Sequence, residues 1–432
     1  MMHRPWKVSA SMLAVTAFCA VAQNPATNYD EAKVPKYTLP DPLVRNDGSP
    51  VRDAKAWYRD RRPEILSLFE TNMYGRTPRE LLPQRFEVLS AEKGALGGKA
   101  LRRQVRVHFT KADHGLNMSL LLYLPAEATG PVPVFLVPGF TPNHTIRSDP
   151  GILLADTWTP EVGNPKPVKR PSTEQSRGSM ANYWPVEEIL ARGYGLVTFY
   201  YADIEPDFDG GFEYGIRPLF PKTGATEWGA IGAWAWGLSR ALDYLETDKN
   251  VDAKSVALMG VSRLGKTALW AGAQDQRFAM VISDDSGEGG AALSRRRFGE
   301  QPRDLVTNFP YWFCANYRQY ADNEDKLPMD QHMLLSLIAP RPLYVASAEE
   351  DLWADPRGEF LSAVYAGPVY HLLGAQDLGT TQMPPVNQPI MNTIGYHVRT
   401  GVHGITAYDW QQYLAFADKH LHGQQRKANQ RQ

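Results

Sequence analysis

Cysteine is almost missing from this chain: Cys19 and Cys314 are the two in 432 residues. That is too few for a disulfide scaffold. Cys314 follows Tyr311-Trp312-Phe313 and reads as a core residue rather than a nucleophile. Charge of one sign is also lacking. The 46 Lys and Arg meet 47 Asp and Glu, for a net charge of −1. The bulk electrostatic case for nucleic acid or an anionic membrane is thereby removed. No apolar run is long enough to span a bilayer as a helix; the nearest, Val8 to Ala20, is too short. The ten histidines show no metal-ligand spacing such as H-E-x-x-H, so no metal is expected. A phosphate-cradling loop is absent too: Gly265-Lys266-Thr267 looks like the end of one, but the earlier glycine is misplaced. No cofactor is therefore expected.

What is present begins with a leader. His3, Arg4 and Lys7 precede the apolar stretch, and Ala20-Val21-Ala22 supplies small residues for cleavage before Gln23. Residues 1–22 are read as a signal peptide, which implies a secreted or periplasmic protein. Residues 23–55, rich in Pro, Asp and Asn, read as an irregular arm packed on the core. Residues 56–425 read as a single catalytic domain and 426–432 as a polar tail. A monomer is expected.

Within the domain, Arg85 to Ala91, Ala100 to Phe109 and Met118 to Leu124 have the pattern of antiparallel strands. Strands then alternate with helices: Val132 to Val137, Gly193 to Tyr201, Ser255 to Gly260, Phe278 to Ser283, Pro342 to Ala346 and Val369 to Leu373. Helices are expected over residues 56–75, Val186 to Arg192, Trp228 to Thr247, from Arg263 onward, and Ala407 to His420. The alternation predicts an α/β fold, a three-layer sandwich with a mainly parallel central sheet and helices on both faces. Inserted loops near 140–182 and 290–338 interrupt it, and loops of such length are usually functional.

The chemistry centres on Val256-Ala257-Leu258-Met259-Gly260-Val261-Ser262-Arg263-Leu264-Gly265-Lys266. A buried strand runs into Gly-Val-Ser and a helix follows at once, which presents a serine on a sharp turn at the top of the sheet. The second glycine of the usual G-x-S-x-G arrives one residue late, at Gly265. A plain serine N-cap is the bland alternative. A nucleophilic serine needs a base, and the base needs an acid to orient it. His403, in Gly401-Val402-His403-Gly404, is the candidate base, with His397 weaker. Two sets of acids compete: Asp284 and Asp285 end one strand, while Glu349, Glu350 and Asp351 end a later one. Residue types alone do not choose between them. The Arg263 backbone N–H, and its guanidinium, would stabilise an oxyanion.

These residues together resemble the glucuronoyl esterases of carbohydrate esterase family 15, whose signature G-x-S-R-x-G-K falls on Gly260 to Lys266. Trp228 to Arg240, Asp330-Gln331-His332-Met333 and Trp353-Ala354-Asp355-Pro356 resemble the bacterial branch. The resemblance implies the α/β-hydrolase fold, Ser262 as nucleophile, His403 as base, Arg263 at the oxyanion and Asp285 as acid. Certain bacterial members take their acid after the later strand, which keeps Asp351, Glu349 and Glu350 in play. It further implies that Lys266, Glu300 and Trp353 meet the sugar. The substrate implied is the ester between (4-O-methyl-)glucuronic acid of glucuronoxylan and lignin alcohols. An acetyl xylan esterase with the same triad, or a catalytically silent polysaccharide-binding protein, are the other readings.

Overall fold

The computed structural model describes residues 27–422 except 81, 112–114 and 162–163. The leader at 1–22 and the tail at 426–432 lie outside them. In chain order the strands are β1 (Arg85–Ala95), β2 (Ala100–His108), β3 (Asn117–Pro125), β4 (Val132–Gly139), β5 (Thr157–Glu161), β6 (Asn164–Arg170), β7 (Gly195–Tyr200), β8 (Val251–Val261), β9 (Met280–Asp284), β10 (Leu343–Ala348), β11 (Ile390–Met391) and β12 (Ile394–Arg399). Ten of them form one sheet in the order β1-β2-β3-β7-β4-β8-β9-β10-β12-β11, and β5 and β6 form a separate hairpin. The run from β7 to β12 is parallel throughout. The β1 to β3 edge is antiparallel, as the alternating sequence predicts.

Because side chains alternate along a strand, each strand serves two cores. On β8, Val256 and Leu258 enter one core, while Ala257, Met259 and Val261 enter the other. The first core is covered by helices Arg62–Asn72, Ala230–Leu245, Arg263–Gln274, Gln331–Ser336 and Pro356–Leu372. The second is covered by Val186–Ala191 and Ala407–Ala417. Helix Ala230–Leu245 lies against Arg263–Gln274. It starts at Gly229, where a Cβ would stand 2.1 Å from the Trp312 carbonyl oxygen. Much of the tryptophan is core: Trp57, Trp234, Trp270 and Trp410 are wholly buried.

One predicted strand is overturned. Val369 to Leu373 is the end of the helix Pro356–Leu372. Pro368 in its last turns suggests a helix breaker, but here its ring sits on the exposed side. The last parallel place belongs instead to β12, whose Ile-Gly-Tyr-His-Val-Arg is buried at every position. Its polar members hid it from a hydrophobicity reading. His397 and Arg399 are neutralised from the next helix by Asp409, at 2.8 Å from each.

Both interrupting segments leave the carboxyl ends of strands. The 140–182 segment, after β4, carries the β5–β6 hairpin; 290–338, after β9, carries helices Pro302–Asn308 and Gln331–Ser336. Residues 28–42 run along the second segment, where Gly299 N–H donates to the Asn28 carbonyl and His332 Nε2 meets the Pro40 carbonyl.

Candidate active site

Ser262 sits where β8 turns into helix Arg263–Gln274, with φ 57° and ψ −129°. A non-glycine residue there is strained by about 1–3 kcal/mol, and such strain marks functional turns. Its N–H is pinned to the Asp284 carbonyl at 2.8 Å. Both flanking glycines are required by close approach. A Cβ on Gly260 would stand 1.9 Å from the Leu264 carbonyl oxygen, and one on Gly265 3.0 Å from Ser286 Cβ. This explains the late second glycine: it is the packing point between the helix start and the end of β9.

His403 stands in the loop between β12 and helix Ala407–Ala417. That loop is held by buried side chains. Arg399 donates to the carbonyls of Thr400, Val402 and Gly404 while its Nε bonds Asp409. Asp285 accepts the Gly404 N–H at 2.9 Å. The two acid sets then separate. Asp351 Oδ2 lies 2.5 Å from His403 Nδ1, and Asp285 Oδ2 lies 4.0 Å from it. So the hydrogen bond goes to the later strand's acid, and the expected Asp285 stands behind it, orienting the loop. Glu349 and Glu350 are exposed. Asp284 is buried, and its carbonyl rather than its carboxylate serves the turn. Burial works to lower the His403 pKa, but the Asp351 hydrogen bond and the charges of Asp285 and Asp351 outweigh it and raise it. Burial raises Asp285, with the Asp351 charge adding to it and His403 opposing. His397 is excluded from the site: it is buried in β12 between Tyr344 and Asp409.

Arg263 pairs with Asp207 and lies over the rings of Trp312 at 4.8 Å and Phe309 at 5.6 Å. Asp207 also accepts from Tyr201, Tyr311 and Trp312 at 2.7–2.9 Å. A carboxylate with that many donors is fixed, and it fixes the guanidinium beside the serine.

One turn on, Lys266 Nζ donates to the carbonyls of Ser286 and Glu288 and to Glu300 Oε2, at 2.6–2.9 Å. Its three donors are thus committed inside the protein. Glu300 is tied to Trp353 by its own N–H, 2.8 Å from the Trp353 carbonyl oxygen. A Cβ on Gly299 would collide with that same turn, 2.4 Å from the Trp353 oxygen. Lys266, Glu300 and Trp353 therefore form one linked cluster beside the elbow.

Asp207, Glu359 and Arg399 were invisible in the sequence. Glu359 lies wholly buried in a helix and accepts the N–H groups of Ser286 and Gly287 at 2.8 and 3.0 Å and the Ser347 hydroxyl at 2.6 Å. Burial and the charge of Asp285 push its carboxyl up to about 8. No local pattern sets these three apart from ordinary surface charges. Among the described residues the one group able to hold a metal ion is Asp285, Asp351 and His403, the acid–histidine cluster itself. His403 Nδ1 is already bonded there.

A strained serine between a buried strand and a helix, with a loop histidine backed by a carboxylate across the parallel sheet, defines a serine hydrolase of the α/β-hydrolase class. Residues 166–374 match the family model for glucuronyl esterase, fungi. A glucuronoyl esterase from Solibacter usitatus superposes with a TM-score of 0.86 at 54% identity, over 90% of this chain and 99% of that one. The carbohydrate esterase MZ0003 of an unknown prokaryotic organism is 50% identical over 93% of this chain and 94% of its own. A 4-O-methyl-glucuronoyl methylesterase of Schizophyllum commune is 31% identical over 86% of this chain and 83% of its own. The chain belongs to the glucuronoyl esterases, carbohydrate esterase family 15.

Proposed function

We propose that this protein hydrolyses esters of glucuronic acid, including its 4-O-methyl form, through an acyl-enzyme on Ser262. The observation that carries the reading is the pairing of the strained elbow serine with the buried Lys266–Glu300 pair one helical turn away, to which Trp353 is linked. His403 takes the Ser262 proton as the hydroxyl attacks the uronoyl carbonyl, and Asp351 holds the imidazole in the tautomer that can do so. Arg263, fixed by Asp207, and its backbone N–H face the oxyanion that develops. The alcohol leaves with the proton from His403, and water repeats the sequence to free the uronate.

In this reading Lys266 acts through Glu300. The ammonium holds that carboxylate in place, so that it accepts from sugar hydroxyls while Trp353 offers its ring. The hydroxyl-rich, uronate-derived acyl group accounts for a charged pair that a simple acetyl ester would not need. At the level of polymers, we put forward glucuronoxylan linked to lignin alcohols as the substrate and the space outside the cytoplasm as the setting. A chain of balanced charge gives no support to nucleic acid as a partner, and among the described residues no helix is long and apolar enough to cross a membrane.

The test is hydrolysis of benzyl glucuronate against methyl galacturonate and an acetylated xylose. Preference for the glucuronate is expected. Preference for the acetyl ester would leave the serine chemistry standing and sink the uronate site.

A further inference from the structure

A polar hollow of about 250 Å³ opens along the carboxyl edge of the parallel strands, away from the elbow. The topology places it there: Asn143 follows β4, Asp203 follows β7, Ser119 lies near the start of antiparallel β3 and Arg106 near the end of β2. In the sheet order β3 is three strands from β8, about 14 Å at the ordinary strand spacing. None of Ser262, Arg263, Lys266, Glu300 or His403 lines the hollow. Its walls are fixed. Asn143 donates to the Ser119 carbonyl at 2.8 Å and accepts from the Thr198 hydroxyl at 2.9 Å. Gln104 donates to the Ser90 hydroxyl and the Gly151 carbonyl and accepts the Leu153 N–H, at 2.7–2.9 Å. Charges of both signs meet inside: Arg106 and Lys169 against Asp156 and Asp203. The Arg106 Nε is buried with no hydrogen-bond partner among the described residues. Asp203 accepts the Ser119 N–H at 3.1 Å. Burial pushes its carboxyl up to about 6, against the pull of that N–H and of the Lys169 and Arg106 charges. Leu153 and Leu154 stand on the rim, 49% and 39% exposed.

We infer that this hollow is a second carbohydrate site, which holds one neutral sugar residue of the polysaccharide whose uronoyl ester lies at Ser262. The polymer rests on the proposed uronoyl esterase reading; the sugar rests on the hollow's own chemistry. A charged ligand would set its charge against like charges in the lining. A neutral hydroxyl is both donor and acceptor, so hydroxyls give to Asp156 and Asp203 and receive from Arg106 and Lys169. Such charge-assisted hydrogen bonds are the strong ones. The two exposed leucines suit the C–H face of a pyranose, whose burial takes apolar surface out of water. Size agrees: a cavity of ~150 Å³ holds benzene, so this one admits a six-membered ring with its hydroxyls. Fixed walls leave little to be ordered when the sugar binds. Asn143 and Asp203 belong to the same short segments as Phe140 and Asp207, which contact the Arg263 guanidinium. A polysaccharide anchored in the hollow therefore runs along the edge of the sheet toward the elbow, and its anchoring raises the local concentration of the ester at Ser262.

The experiment compares methyl-esterified glucuronoxylan with methyl glucuronate, which share the leaving alcohol and differ in the attached polymer. Arg106→Met keeps the aliphatic stem and removes the charge. In it the ratio of kcat/KM for the polymer to that for the small ester should fall about tenfold, the loss of one hydrogen bond to a charged group. Lys169→Met should lower the ratio by about threefold, as suits a charge nearer solvent. Lys169 is exposed, so this variant serves where the first fails to fold, and its rate on methyl glucuronate should match the wild type. Because the ratio is taken within each variant, loss of active protein cancels. Titration calorimetry with xylohexaose reads the hollow without the ester: the wild type should bind it, and each variant should bind it more weakly by the factor its ratio lost. A ratio unchanged in both variants overturns the assignment. So does xylohexaose binding that is absent or that neither variant weakens, or a hollow that takes inorganic phosphate in place of the oligosaccharide. Failure of the wild type to cleave even methyl glucuronate would instead remove the uronoyl esterase reading, and the calorimetry would then decide the sugar site by itself.

Discussion

The two faces of the sheet treat the elbow at Ser262 differently. On the face of helix Arg263–Gln274, charge is dense and dry: Lys266 meets Glu300 and two carbonyls, and Arg263 meets Asp207 under a roof of aromatic rings. On the face of helix Ala407–Ala417, the same strand end looks into an apolar cavity. The first face is completed by the segment after β9 and the turn after β10, the second by the segment after β4. The two environments meet at Phe140, which lines the cavity and also lies 5.9 Å from the Arg263 guanidinium.

That difference can be probed in graded ways. Ser262→Ala strikes the shared centre, and kcat should fall by ~10⁴–10⁶-fold on every ester regardless of acid or alcohol, measured with a chromogenic uronate. The next comparison sets the two acids against each other. Asp351→Asn removes the partner of His403 Nδ1 and should lower kcat by ~10³–10⁴-fold. Asp285→Asn leaves that bond in place, and a loss of about tenfold is expected from a slackened loop. A reversal of this order would return the acid's role to Asp285. Glu300→Gln addresses the charged face alone. Replacing one charge-assisted contact should lower kcat/KM for glucuronate esters by about ten- to a hundredfold, with an acetyl ester hardly affected. Equal losses on both would show that the pair is structural.

The smallest effect is in pH. In the proposed mechanism base catalysis needs neutral His403, and the upward shift of its pKa should move the acid limb of kcat/KM up from the ordinary imidazole value. Removing the Asp351 hydrogen bond and charge leaves burial less opposed, so the limb in Asp351→Asn should move to lower pH. A limb that stayed put would mean that another group titrates there.

What could be read from the sequence follows the range of the interactions involved. The elbow is local: a strand, a serine and two glycines within six residues determine their own geometry, and Ser262, Gly260 and Gly265 announce it. His403 was legible because glycines bracket it in a late loop. The acid was not, because the choice between Asp285 and Asp351 depends on how far β9 and β10 carry their ends toward that loop. Strand β12 was missed because His397 and Arg399 look polar until Asp409, from another element, neutralises them. Pro368 produced the opposite error, since a proline ring that faces solvent late in a helix is tolerated. Asp207 and Glu359 act through partners tens of residues away, and no spacing rule reaches that far.

Cys314 has a use that none of the chemistry requires. It is the one cysteine among the described residues, buried, with Sγ 3.7 Å from the Thr71 carbonyl oxygen and its N–H bonded to Met73. Burial pushes its thiol pKa up, so the reactive thiolate is scarce while the fold is closed. A reagent that modifies thiols reaches it only when its packing against helix Arg62–Asn72 opens, so its labelling rate reports how often that contact comes apart.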